Sequence, residues 1–409
     1  MPAHLTIDAV GADGDGIAQT AHGSVYVPFT LPGERVLAQV DGGRGALIEV
    51  LEPSPARIAP VCPHFGVCGG CALQHMHADI YAEWKRERVI EALAARGLHP
   101  DVDPVWRAPL SSRRRAMMTA RRDGDAISLG FHKRLSHDVV DMQVCAVLDP
   151  RIVGALPRLR RLLSPLVHPG HNARLTVLSC GNGLDVHIQP DRKPSAGDLV
   201  KASRVAADID GLVRLTILNE EVFRPTAPSL AIGDVILTPP PGAFVQAVGA
   251  AEHELARLAV EGVGKAKTVA DLFCGLGAFT FRLARRARVT AAENDDGLLA
   301  ALAAGARDAG GLKPIVTLRR DLDREPLSAM ELNRFDAVVF DPPRNGAFAQ
   351  SEEIARSKLK CVVAISCNPA SFSRDARVLV DAGFMIAKVA PVDQFLFSPH
   401  VELAAWFRR

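Results

Sequence analysis

One cysteine of this chain stands where a nucleophile would. It lies in Ile365-Ser366-Cys367-Asn368-Pro369, directly after an apolar run from Cys361 that reads as a buried strand. Two upstream stretches supply partners for such a thiol. Asp271-Leu272-Phe273-Cys274-Gly275-Leu276-Gly277 reads as the glycine turn of a nucleotide-type pocket, and Asp341-Pro342-Pro343-Arg344 as a second strand-end loop. Together they point to covalent methyl transfer to a pyrimidine ring. Carbon 5 of uracil is a poor nucleophile. A soft thiolate adding to carbon 6 turns it into an enolate that can attack a methyl group, and a base must then remove the carbon 5 proton before the thiol leaves. Glu402, in Ser398-Pro399-His400-Val401-Glu402, is the candidate base, with His400 as its competitor. Cys274 reads as packing.

The glycine turn narrows the cofactor. Gly275 and Gly277 let a ligand approach the backbone closely. Glu293 ends the next predicted strand, about 20 residues beyond Asp271, where an acid can accept both hydrogen bonds of a ribose diol. The full G-x-G-x-x-G is absent and no lysine opens the helix, which disfavours pyrophosphate and ATP. An adenosyl sulfonium needs no phosphate cradle, and Asp271 would suit its positive end. Asp321, after the third strand, could reach an adenine. Amino-methylating enzymes follow a related Pro-Pro with an aromatic residue; Arg344 stands there instead, against exocyclic-amine methylation of adenine.

These residues need a scaffold, and the chain from Lys267 onward predicts one. Near-continuous apolar strands are expected at 268–273, 288–293, 314–318, 335–340 and 361–366, with helices at about 278–287, 296–309, 351–358 and 371–382 and two further strands at about 384–392 and 401–407. Such alternation predicts a doubly wound parallel sheet of Rossmann type, with ligands at the carboxyl ends of its strands. The Gly-rich first 52 residues predict short strands and turns, hence a small β-barrel. A helix is expected over about 79–96, charged through Glu83, Lys85, Arg86, Glu87 and Arg88 and apolar through Ile80, Trp84, Val89, Ile90 and Leu93. From about 100 to 240, short strands and one helix near 150–166 predict an α+β domain. The expected division is 1–53, 54–240 and 241–409.

Cys62, Cys68 and Cys71 form a ligand-like cluster that Cys145 could complete. Four sulfurs suit zinc or an iron–sulfur cluster, and the spacing alone does not choose. His64, His75 and His77 keep a mixed zinc site open. Arg113-Arg114-Arg115, Arg121-Arg122 and Lys133-Arg134 could neutralise RNA phosphates, and an enzyme acting on a base carbon must also extrude that base.

Bulk composition sets limits. At 409 residues and 48% hydrophobic the chain is too long for one core. Its net charge of +2 means that any nucleic-acid surface is local. Eight cysteines in a chain of this length favour metal or catalytic use over disulfides. No apolar run approaches the roughly 18 residues of a membrane helix, and the first residues do not read as a secretion signal. The expectation is a cytoplasmic monomer without membrane contact.

Taken together the motifs resemble those of the RNA C5-methyluridine methyltransferase family, over nearly the whole chain. The resemblance implies Cys367 as nucleophile and Glu402 as general base. It implies S-adenosylmethionine held by Gln246 (in Phe244-Val245-Gln246), Phe273, Glu293, Asp321 and Asp341, with Ala278 where relatives often carry an asparagine. Cys62-Pro63-His64-Phe65-Gly66-Val67-Cys68-Gly69-Gly70-Cys71 resembles the iron–sulfur segment of the branch that methylates 23S ribosomal RNA, with Cys145 as fourth ligand. A [4Fe-4S] cluster is thus implied by similarity, and the first 52 residues resemble the TRAM barrel of that branch. Methylation of transfer RNA, or a non-catalytic RNA-binding role in ribosome assembly, are the alternatives.

Overall fold

The computed structural model describes residues 1–409. Its largest sheet has eight strands in the order 315–319, 288–293, 268–272, 337–340, 361–366, 402–408, 385–393 and 106–107. The first five run parallel. Glu402–Arg408 then inserts antiparallel between Cys361–Ser366 and Met385–Asp393. The central parallel strands Thr268–Leu272, Ala337–Phe340 and Cys361–Ser366 are buried almost throughout because both their faces are covered, whereas the edge strand Ile315–Arg319 is largely exposed. Val338, Val362 and Ala364 face one core, with the helices Ala78–Ala94 and Pro369–Asp381. Val269, Val339 and Val363 face the other, against Gly249–Val263.

The predicted strands and helices of this sheet appear within a few residues of their expected ends, except that the first helix shortens to Thr280–Ala284. Three helices were not foreseen, Gly249–Val263, Ala196–Ala207 and the single turn Ala329–Leu332. The first is rich in alanine and buried on several sides (Ala251, Leu255, Ala256, Leu258 and Ala259), which flattens the contrast between its faces. The edge strand Trp106–Arg107 was likewise unexpected.

Helix Ala78–Ala94 corrects the expected division into charged and apolar sides. Ile80 is half exposed, whereas Lys85 is fully buried and paired with Asp393 at 2.5 Å. The N-terminal strands form one six-stranded sheet that curls until Pro2–Thr6 meets Gly16–Thr20, enclosing Ile7, Val27, Val36 and Ala38. A second six-stranded sheet, within residues 115–223, rests one face on the helices Pro150–Leu163 and Ala196–Ala207. No helix is long and apolar enough to cross a membrane.

Candidate active site

The five parallel strands end on one cleft of about 610 Å³. Phe273, Glu293, Asp321, Asp341 and Cys367 each sit at or just beyond the carboxyl end of a different strand, and all five line it. Gln246, Gly275, Ala278 and Glu402 line it as well. Gly277 does not. Its φ is +90°, and an added Cβ would lie 2.9 Å from the ring of Phe281, so this glycine serves the turn and its packing. At Gly275 (φ +54°) there is open space, so the backbone itself faces the cleft, and its N–H donates to Glu293 Oε2 at 3.1 Å. Glu293 Oε1 accepts from the backbone N–H groups of Asn294 and Asp295, which fixes the carboxylate at the tip of its strand.

Asp271 departs from expectation. It is fully buried and outside the cleft lining, and it accepts a hydrogen bond from Thr280 Oγ1 at 2.5 Å. Burial pushes its carboxyl up to about 7. It braces the turn from behind and does not face a ligand. Cys274 packs in the core beneath the same turn.

Glu402 and Asp341 are tied into one chain of hydrogen bonds. Gln394 Nε2 donates to Glu402 Oε2 and to Gln246 Oε1, both at 2.6 Å, and Gln246 Nε2 donates to Asp341 Oδ2 at 3.0 Å. Val248 N–H donates to Gln394 Oε1 at 3.4 Å, which orients the first amide and through it the second. Gln394 had no sequence signal: it belongs to no periodic pattern, and neither it nor the adjacent Phe395 falls in a recognisable motif.

The electrostatics follow from burial. Glu402 is buried and Asp341 half-buried in the cleft wall, and desolvation raises both carboxyls, Glu402 to about 7 and Asp341 above its ordinary range, with repulsion from Glu402 adding to the latter. Burial, then Glu402 and Asp341, push the Cys367 thiol up to about 11, while Arg344 pulls it down. Cys367 also precedes Asn368, which caps helix Pro369–Asp381 through Ala370 N–H, so the positive end of that helix lies beside the sulfur. Asn368 Nδ2 and Ser371 Oγ both donate to the Arg344 carbonyl, locking the two strand-end loops together. His400, the competing base, is absent from the cleft lining.

The basic cluster does not form one face. Arg113 and Arg115 line the cleft, their guanidinium groups over Phe395 (6.0 Å) and Phe244 (5.5 Å). The others are spent on structure: Arg114 on Glu252, Arg122 on the Val167 carbonyl, Lys133 on Asp138 and Arg134 on the buried Asp15, while Arg121 lies near Asp123 and Asp138. Arg113 and Arg115 are thus the members of the cluster that reach the cleft, Arg115 donating there to the Ala243 carbonyl at 3.0 Å as well, while Arg121 and Lys133 remain about half exposed elsewhere on the surface.

Cys62, Cys68, Cys71 and Cys145 come together, partly buried, within range of one another's charge. Burial and this mutual repulsion push the Cys71 thiol up to about 12. The rise is opposed by Gly70 N–H near Cys68, by the Gln74 side chain near Cys71 and by the N–H groups of Val147 and Leu148 near Cys145. Such donors suit thiolates. The sulfurs do not converge tightly enough to wrap one ion, for no group of three or more ligand-type side chains does so. The histidines give no mixed site. His64 Nε2 accepts from Gln143 N–H, His77 caps helix Ala78–Ala94, and His75 is buried against Phe65 with neither ring nitrogen bonded and a pKa of about 4.

Comparison with known proteins agrees with this geometry. The family model described as tRNA (Uracil-5-)-methyltransferase matches residues 311–409. An uncharacterized RNA methyltransferase of Caulobacter vibrioides is 47% identical over 99% of this chain and 99% of its own. The 23S rRNA (uracil(1939)-C(5))-methyltransferase of Chromohalobacter salexigens is 32% identical over 97% of this chain and 87% of its own. The Pyrococcus abyssi tRNA (uracil-54, C5)-methyltransferase, solved with S-adenosyl-L-homocysteine, superposes with a TM-score of 0.77 at 21% identity, covering 99% of both chains. The chain belongs to the RNA uracil-C5 methyltransferase family.

Proposed function

We propose that this protein methylates C5 of a uridine in 23S ribosomal RNA, using S-adenosylmethionine, with Cys367 as nucleophile and Glu402 as general base. The observation that carries the reading is the one cleft that Cys367 shares with the buried Glu402 and the half-buried Asp341, the two carboxyls wired together through Gln394 and Gln246. Ribosomal RNA is favoured by the higher identity of the Chromohalobacter relative, 32% against 21% for the Pyrococcus transfer-RNA enzyme, both over nearly the whole chain. The transfer-RNA reading draws on the family description and on the Pyrococcus fold.

The cleft suits the cofactor. Glu293 offers a fixed carboxylate for a ribose, the Gly275 backbone lies open beside it, and Asp321 stands at the next strand end. The cofactor supplies an activated methyl group. Cys367 Sγ adds to C6 of the extruded base, and the ring electrons shift to make C5 nucleophilic. Once C5 has taken the methyl, Glu402 removes the C5 proton, the C6–S bond breaks and the thiolate is restored. Arg344 favours the thiolate at the start. Arg113 and Arg115 hold the RNA strand at the cleft mouth while Phe244, largely exposed there, offers a stacking face.

Mapping C5-methyluridine in total RNA with and without the gene tests this reading. A methyl lost from one 23S ribosomal site is expected. Loss from transfer RNA moves the protein to the other branch, and an unchanged map overturns the function.

The four cysteines are read as ligands of a [4Fe-4S] cluster, whose sulfurs stand farther apart than those around one zinc ion. Protein purified without oxygen is expected to be brown, with iron and sulfide in equal amounts, and Cys145→Ser to lose both. Colourless protein with stoichiometric zinc would overturn the cluster.

A further inference from the structure

The segment between strands Met385–Asp393 and Glu402–Arg408 carries Gln394 and Phe395 into the cleft and ends at Glu402. Its fixation comes from outside the sheet. Lys85, on helix Ala78–Ala94, reaches it with a fully buried ammonium. Nζ donates to Asp393 Oδ1 at 2.5 Å, to the Phe395 carbonyl at 3.1 Å and to the His400 carbonyl at 2.6 Å. All three of its protons are thus used, and they join the first residues of the segment to the last. Tyr81, one helical turn earlier, donates to Asp393 Oδ2 at 2.6 Å and accepts from Phe397 N–H at 2.8 Å. From the other side, the N–H groups of Ala72 and Leu73, next to Cys71, donate to the Phe397 carbonyl at 2.7 and 3.0 Å. Phe397 itself holds a left-handed backbone (φ +61°), a conformation that needs such support in a non-glycine residue.

We propose that Lys85 is a positioning residue for the general base: it staples both ends of the 393–402 segment so that Gln394 and Glu402 face the C5 proton of the bound uridine. The proposal rests on Glu402 being the base. A packing role alone would not require a lysine, since an apolar side chain of similar length fills such a site at little or no cost when its charged partner is replaced too. What an apolar chain cannot do is bond the Phe395 and His400 carbonyls. Without those bonds the segment is free to shift, and a displacement near 1 Å at a reacting group costs about 100-fold in rate.

Two variants test it, Lys85→Met and the charge-balanced double variant Lys85→Met/Asp393→Leu. Each is mixed with uridine-containing RNA and S-adenosylmethionine and run on a denaturing gel. The step that suffers is proton removal, which follows sulfur addition and methyl transfer. The expected result is turnover reduced about 100-fold with a protein–RNA adduct accumulating, in protein that keeps the parent's thermal unfolding profile. A lesion of folding alone would lower turnover and adduct together. Glu402→Gln, run alongside, separates the two claims. Adduct in Glu402→Gln but none in a folded Lys85 variant, or turnover within twofold of the parent in either Lys85 variant, overturns the lysine assignment alone. Absence of adduct from Glu402→Gln removes the base assignment, and the lysine's role with it.

Discussion

Cys367→Ala is expected to eliminate methylation, by a factor on the order of 10⁴ or more, and to eliminate every covalent species with RNA. The loss is large because C5 of uracil has no other route to nucleophilic character within this cleft. The cleft holds no second sulfur placed to substitute: Cys274, which also touches it, is buried beneath the glycine turn with its thiol well above the ordinary range. Cofactor affinity should survive, because Glu293, Gly275 and Asp321 lie at other strand ends. RNA carrying 5-fluorouridine gives the direct readout. Fluorine at C5 cannot leave as a proton, so the parent protein should remain bonded to that RNA while Cys367→Ala leaves it free. Cys367→Ser should behave like the alanine variant, since a hydroxyl beside two carboxyls is far less acidic than a thiol already pushed to about 11. Normal turnover by either variant would end the covalent scheme.

The parts of this site that were legible in the sequence share a physical trait. Central parallel strands are covered on both faces and mostly apolar, so 268–272, 337–340 and 361–366 stand out, and the residues at the ends of this sheet's strands fall on the ligand edge by topology alone. Cys367, Asp341 and Glu293 were found that way. What stayed hidden depends on contacts between distant segments. Gln394 matters because Gln246 comes to it from 148 residues away, and nothing local marks that meeting. Lys85 was assigned to a solvated side because lysine is almost never buried unpaired, and its partner Asp393 lies 308 residues on. The arginine cluster misled for the converse reason. Arg114 and Arg134 each found a buried carboxylate, so charge dense in sequence did not become charge dense on a surface. The cysteines fall between these cases: Cys62, Cys68 and Cys71 are close in sequence, while Cys145, also named from the sequence, joins them only through the fold.

Glu402→Gln is expected to stop turnover at the adduct. The substitution keeps the shape of the side chain, and its amide oxygen can still accept from Gln394 Nε2, so the hydrogen-bonded chain to Asp341 persists. Sulfur addition and methyl transfer do not consume the base. The product of those steps is a 5-methyl adduct that still holds the C5 proton, and only removal of that proton expels the sulfur. Ordinary uridine RNA should therefore form a denaturation-resistant complex with Glu402→Gln, with turnover lowered about 10²–10⁴-fold. The pH dependence assigns the step. Burial holds Glu402 near 7, and only its ionised form can accept a proton, so turnover by the parent should rise with pH up to about 7 through this group. Adduct formation with 5-fluorouridine RNA bypasses the base and should follow the Cys367 thiol alone, continuing to rise toward about 11. A shared limb near 7 in both measurements would assign that ionisation to a group acting before proton removal, and Asp341, bonded through Gln246 to the same chain, would be the group to replace next.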